Sequence, residues 1–219
     1  MLIQTGFRAP AASVTSAAAE HPEVSSLLTH TRPSAVTLYA ENAIIYAQGE
    51  AAGPLYLVEF GAVRIYRLTS DGRRQISAFH FAGEVFGFEG DDEHHFYAES
   101  IDGAGIRVLR SSAGEHLADS VLPLALRSLT RAQEHLLVLG RQNACEKLAA
   151  FLLDLAERQE TDRFIDLPMQ RADIADYLGL TFETVSRILR KLKDARTIRL
   201  PSVKQVEVLD FTALENLCE

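Results

Sequence analysis

The chain has 219 residues and a mass of 24.2 kDa, with 22 Lys and Arg against 30 Asp and Glu and a formal net charge of -8 at pH 7. Hydrophobic residues make up 47% and charged residues 24%, the proportions of an ordinary globular chain and not of a disordered or membrane one, and the length suits two domains better than one. The richest apolar stretch, Leu148 to Leu155, is interrupted by Asp154 and falls far short of the ~20 residues a bilayer span needs, so no membrane partner is expected.

The first 30 residues carry a single Arg8 and no continuous apolar core, unlike a secretory leader, so a cytoplasmic location is expected. Two cysteines, Cys145 and Cys218, supply neither a disulfide framework nor four thiolates for a cluster within one chain. Charge is unevenly spread. Residues 1 to 120 hold 8 basic and 15 acidic residues, a net of -7, residues 121 to 162 a net of -1, and residues 163 to 219 a net of 0. Within the last part, Thr181 to Lys204 holds seven basic residues against Glu183 and Asp194, a local net of +5. One basic stripe sits in an acidic protein.

In chain order, residues 1 to 34 are rich in Ala, Ser, Thr and Pro and read as a mobile arm with a helical turn near Val24 to Leu28. Residues 35 to 120 carry short β-rich runs with Gly punctuation: Ala43 to Tyr46, Leu55 to Phe60, Ala62 to Leu68, Gln75 to Phe81, Phe96 to Ile101 and Gly105 to Leu109. That spacing predicts a β-barrel or jelly roll, with Ser70-Asp71-Gly72 as a hairpin turn. From residue 121 to 143 Leu122, Leu126, Leu129, Gln133, Leu136 and Gly140 recur at heptad spacing. This seam predicts a helix that pairs with an identical helix, although packing on its own barrel is the alternative. A second helix, Ala144 to Gln159, buries Leu148, Phe151, Leu152 and Leu155, and Gly140 to Asn143 reads as the hinge between the two.

Residues 144 to 219 end in the sharpest pattern. From Leu167 to Arg190 the chain reads helix, turn, helix: Ile174, Ala175 and Leu178 make one apolar face, Gly179 breaks the first helix, and Thr181 caps the second. On the second helix Phe182, Val185, Ile188, Leu189 and Leu192 form the expected inward stripe, leaving Glu183, Ser186, Arg187 and Arg190 outward. Those outward types suit base readout: Arg187 can pair with guanine O6 and N7, Glu183 can accept from a cytosine or adenine amino group, and Ser186 can meet a thymine methyl. Thr181, Thr184, Arg190, Lys191, Lys193 and Arg196 are expected to face phosphates. Thr197 to Leu200 and Gln205 to Leu209 read as a β-hairpin wing placing Arg199 and Lys204 on the DNA backbone. The alternative is a solvated helix whose Glu183 and Arg187 form only an i, i+4 pair.

Four segments together, Gly61 to Tyr66, Phe79 to Gly87, Arg141 to Leu152 and the helix-turn-helix, resemble the CRP/FNR family of bacterial transcription regulators, in particular its FNR-like, nitrogen-fixation branch. The resemblance implies an α+β chain: a cyclic-nucleotide-binding-type jelly roll, a long dimerisation helix and a C-terminal winged helix-turn-helix. Glu183-x-x-Ser186-Arg187 is similar to that branch's recognition signature, which implies a homodimer on TTGAT-type palindromes of double-stranded DNA with Arg187 on the guanine. It also implies RNA polymerase as a partner, and the turns Asp71 to Arg74 and Gly114 to Asp119 match activating regions by position.

Family members that bind cyclic AMP hold its phosphate with a Gly-Glu pair followed by Arg and a hydroxyl residue. This chain keeps Gly83-Glu84, but His94 and His95 stand where the Arg and hydroxyl would lie, beside Asp91, Asp92 and Glu93. An anion would meet like charge there. The thiolates of the oxygen-sensing members are absent, so no cluster is expected. His94 and His95 read as solvated loop residues without a third ligand, so no metal is expected, and Cys145 reads as an inert helix residue. No catalytic motif is present. The expectation is therefore a dimeric DNA-binding regulator, an activator without cofactor or small-molecule effector. Redox- or haem-linked control is the second reading, cyclic-nucleotide gating the third, and from a different class a ligand-binding module of an enzyme, against which the basic stripe argues.

Overall fold

The computed structural model describes residues 22–111 and 117–218. Helix α1 (Pro22–Thr29) opens it, burying Val24 and Leu27 against Leu57, Val85, Leu109 and Leu124. Strand β1 (Thr31–Pro33) then pairs antiparallel with the far end of β7 (Tyr97–Ser111). Residues 22 to 34 thus belong to the folded body, which corrects the expectation of a mobile arm reaching residue 34. Two apolar side chains at i, i+3 spacing are enough for a two-turn helix once a barrel supplies the opposing face. The rest of the expected arm, residues 1 to 21, lies outside the described residues.

One seven-stranded antiparallel sheet, rolled into a jelly roll, takes up most of the chain to residue 111. Its spine is β4 (Leu55–Leu68) against β7, paired from Leu55 opposite Leu109 to Tyr66 opposite Tyr97. β5 (Arg74–Phe81) flanks β4, β2 (Thr37–Tyr39) and β3 (Ile44–Tyr46) pair with β7, and β6 (Val85–Phe86) pairs with β4. Four expected short strands are therefore two long ones. The breaks were expected at glycines, but Gly61 (φ 82°) and Gly103 (φ 84°) lie side by side within the antiparallel β4–β7 ladder, and a Cβ on Gly61 would overlap the Gly103 carbonyl oxygen. Here glycine bends paired strands without ending them, and the register shifts between Gly61 and Val63. The turn after β4 is as expected: Gly72 (φ 79°) donates its N–H to the Thr69 carbonyl at 2.8 Å.

Helix α2 (Leu117–Gly140) leads through Arg141 to Asn143 into α3 (Ala144–Arg158), whose first turn is capped by Asn143 Oδ1 accepting from the Cys145 amide at 2.9 Å. α4 (Arg171–Leu178) and α5 (Phe182–Asp194) follow. A small sheet in the order β8-β10-β9 is made of β8 (Phe164–Asp166), β9 (Ile198–Ser202) and β10 (Gln205–Val208), and α6 (Phe211–Glu215) closes the chain. β8 is not expected from the sequence, because three residues carry no usable period, and the wing turn is two residues shorter than expected. α3 buries Leu148, Phe151, Leu152 and Leu155 in a core shared with Val185, Leu189, Val206 and Leu214, and that core runs on to Ile76 and Phe79 of the barrel. Among the described residues no helix is long and apolar enough to cross a membrane.

Candidate nucleic-acid interface

The interface is built on α4 and α5. α4 starts with a capping box in which the Gln170 amide donates to Asp173 Oδ2 at 3.1 Å. It buries Ile174, Ala175 and Leu178 and stops at Gly179, whose φ of 62° and ψ of 40° are left-handed. Thr181 Oγ1 accepts from the Thr184 amide at 3.2 Å and so starts α5. Val185, Ile188, Leu189 and Leu192 are buried beneath it.

Glu183, Arg187 and Arg190 are exposed on the opposite face, and Ser186 is half-buried between them, 3.4 Å from Arg171 Nη1. Phe182 departs from expectation. It was placed in the inward stripe, but 51% of it is exposed, because at 100° per residue it falls at the border of that stripe, nearer to Ser186 than to Ile188. The outward ridge therefore begins with an aromatic ring. Thr181, Lys191, Lys193 and Arg196 are exposed and Thr184 is half-buried. Lys191 and Lys193 sit in the last turn of α5, where the helix dipole favours cations.

Two of the wing cations expected on the DNA backbone have partners within the chain and remain more than half exposed. Arg199 pairs with the buried Glu207 of β10, which also receives Arg163 Nη2 at 2.8 Å. Lys204 pairs with Asp102 of the barrel. Both partners face the wing only once β10 and β7 are placed, so the linear pattern did not contain them.

On α2 the heptad residues Leu122, Leu126, Leu129 and Leu136 are each more than half exposed, and Gln133 and Gly140 are exposed with them. The other side of the helix is covered: Leu124 is buried under α1, and the His135 imidazole stacks on Tyr177 of α4, 3.8 Å between ring centroids. Burial pushes His135 down to about 4 and pushes the Tyr177 phenol up.

His94 is 1% exposed and stacks on Tyr46 at 3.6 Å, with Nδ1 3.2 Å from Glu89 Oε1. This overturns its reading as a solvated loop residue; the sharp turn before β7 drives its ring into the aromatic cluster of Tyr46, Tyr56 and Phe86. His95 is exposed as expected and meets Asp91 at 2.9 Å. Glu84 is engaged by Arg131 of α2 and Arg158 of α3, each at 2.8 Å. Burial raises its carboxyl, yet His80 and the two guanidiniums hold it well below the usual carboxylate range. Cys145 is buried, which pushes its thiol up. The turn Asp71 to Arg73 is exposed, but Arg74 is turned inward onto α4. Of the second turn, residues 112 to 116 lie outside the described residues.

Residues 36–99 match the cyclic nucleotide-binding domain family and residues 146–217 the Crp-like helix-turn-helix domain family. The chain is 48% identical over 186 residues to the nitrogen fixation regulation protein FixK of Rhizobium meliloti (strain 1021), covering 85% of this chain and 88% of that protein. It is 31% identical to the fumarate and nitrate reduction regulatory protein of Vibrio cholerae, covering 79% of this chain and 74% of that one. The structure of FixK2 from Bradyrhizobium japonicum superposes with a TM-score of 0.79 at 38% identity, covering 86% of this chain and 98% of that chain.

Proposed function

Because this chain belongs to the CRP/FNR family of transcription regulators, related to FixK proteins and binding DNA through its helix-turn-helix, we propose that it works as a homodimer on TTGAT-type palindromes without a small-molecule effector. Its homologues are regulators, not enzymes. The observation that carries the proposal is the single exposed ridge of Phe182, Glu183, Ser186, Arg187 and Arg190 on a helix whose other face is buried. Arg187 reads guanine, Glu183 accepts from a base amino group, and Ser186 with the Phe182 ring meets thymine methyls. Thr181, Thr184, Arg190, Lys191, Lys193, Arg199 and Lys204 position the backbone.

Dimerisation is supported by the open leucine seam of α2, which no other described residue covers. Two recognition helices in successive major grooves then require half-site centres ~34 Å apart. Effector independence is supported by two arrangements. The stacked rings of Tyr46 and His94 fill space inside the barrel, and Glu84 is already committed to Arg131 and Arg158. Redox control through Cys145 is disfavoured by its burial, since the thiolate is the reactive form. RNA polymerase is the proposed partner of the exposed turn Asp71 to Arg73.

Selection of bound sequences from random DNA by ligand-free protein tests sequence preference, half-site spacing and effector independence together. The expected product is a TTGAT-type palindrome with one half-site spacing. Equal affinity for that palindrome and a scrambled duplex at moderate salt rejects the reading, and a several-fold rise in affinity on adding cyclic AMP rejects effector independence alone.

A further inference from the structure

Ions as well as apolar contacts make the joint between the jelly roll and the helix-turn-helix, and one of the ions is deeply buried. Arg64 lies in the middle of β4 between Val63 and Ile65 and is 6% exposed. Its guanidinium donates to Glu99 Oε1 of β7 at 2.5 Å, to Asn42 Oδ1 at 2.8 Å, and to both carboxylate oxygens of Asp173 on α4 at 3.2 Å. Asp173 is itself buried and caps α4. Arg74 of β5 closes over the same carboxylate at 2.5 Å and reaches Asp176 Oδ2 at 3.0 Å, while Gln75 Nε2 donates to the Asp176 carbonyl at 2.7 Å. Two barrel strands thereby grip the first helix of the helix-turn-helix.

We infer that Arg64 is a positioning residue for DNA binding: acting through Asp173, it fixes the direction in which the barrel presents the recognition helix. The inference rests on the reading of α5 as one of two base-reading helices in a dimer. Such a dimer engages both half-sites only if each α5 is held at one angle to the body of its protomer. The link between α2 and α3 is a non-helical turn, and apolar contact is non-directional, so neither supplies that angle. A planar guanidinium with three fixed acceptors does. Its burial makes intermediate orientations unfavourable, because sliding Asp173 off Arg64 leaves two guanidinium hydrogen bonds unmade in a buried site, even though Glu99 stays with Arg64 and Arg74 with Asp173. Stability is a poor account of the pair, since apolar side chains of the same volume hold such a joint as well.

Two variants break the contact from opposite sides. Arg64→Lys keeps the charge and loses the fork, and Asp173→Asn leaves Arg64 with Glu99 inside the barrel. Each is measured on a single half-site duplex, on the full palindrome, and on palindromes with spacers one or two base pairs longer or shorter, with melting and dimerisation as controls. Expected are half-site affinity within about two-fold of the parent, full-site affinity lower by about ten-fold or more, and a flattened spacing preference, because only the second, intramolecular engagement depends on the angle. Equal losses on half and full sites in the folded variants, or parental full-site affinity and spacing, overturn the inference. A second measurement needs no DNA. Spin labels at Leu38 of β2 and Asp194 of α5, in chains carrying Cys145→Ala and Cys218→Ser and diluted with unlabelled protein, should give one narrow distance in the parent and a broadened one with Arg64→Lys. Equally narrow distances in both overturn the inference, whereas failure of the parent to prefer the palindrome counts against the proposed function and leaves the label result to decide on Arg64.

Discussion

The imidazole of His135 and the phenol ring of Tyr177 lie face to face, 3.8 Å between centroids and 12° from parallel, so helix α2 touches the helix-turn-helix directly through two aromatic rings. Neither ring nitrogen of His135 has a hydrogen-bond partner among the described residues, and Arg131, Glu134, Arg141, Asp154, Glu157 and Arg158 line the surrounding crevice.

This contact should make stability fall in acid. Burial holds the folded imidazole neutral down to about 4, below its ordinary value of 6.5, so between those values the unfolded chain binds a proton that the folded chain does not. The contribution is complete above pH 6.5 and declines as pH falls towards 4. His135→Phe keeps the stack and removes the titration. Urea unfolding at pH 7 and pH 4.5 should therefore show a smaller acid loss in the variant than in the parent.

Arg187→Ala should weaken binding to the TTGAT-type palindrome by about 1 to 3 kcal/mol and relax choice at the guanine. Competition binding with each base substituted at that position measures both effects. An unchanged preference for guanine would remove Arg187 from base readout.

Phe182 is expected to contribute an apolar contact with a thymine methyl. Phe182→Ala should lower affinity by about 0.8 kcal/mol, the scale of one buried methylene. Replacing the half-site thymines with deoxyuridine should produce a similar loss in the parent and little further loss in the variant, which a two-by-two binding cycle reads directly.

The leucine seam of α2 should be the dimer contact. Leu126→Arg with Leu129→Arg removes two side chains per protomer that each contribute about 1.5 to 3 kcal/mol when fully buried and sets like charges against each other across the seam. Sedimentation velocity should show a folded monomer at micromolar concentration, with half-site binding retained and full-site preference lost.

Local patterns carried much of the fold and the ridge. Gly179, Thr181 and the spacing of Val185, Ile188, Leu189 and Leu192 act within a few residues, so the helix-turn-helix was readable from neighbours alone. Readings that needed partners far along the chain failed for that reason. Gly61 and Gly103 resembled strand ends because their role depends on each other. His94 resembled a loop residue because Tyr46, which buries it, lies 48 positions earlier. Arg64 gave one unread signal, a cation between two apolar strand residues, and Asp173 lies 109 residues away.

The pairing of Lys204 with Asp102 alters how this protein should respond to salt. A wing lysine that meets a phosphate ordinarily helps release condensed counter-ions from the duplex, which steepens the fall of affinity with salt by about 0.9 per contact. Here the lysine must first leave a carboxylate of its own chain. Part of the electrostatic gain on DNA is then an exchange of one anion for another, and a free carboxylate is left beside the duplex. Asp102→Asn should accordingly raise affinity for every sequence by a similar factor and steepen the fall of affinity with salt, leaving the preference for one sequence over another unchanged.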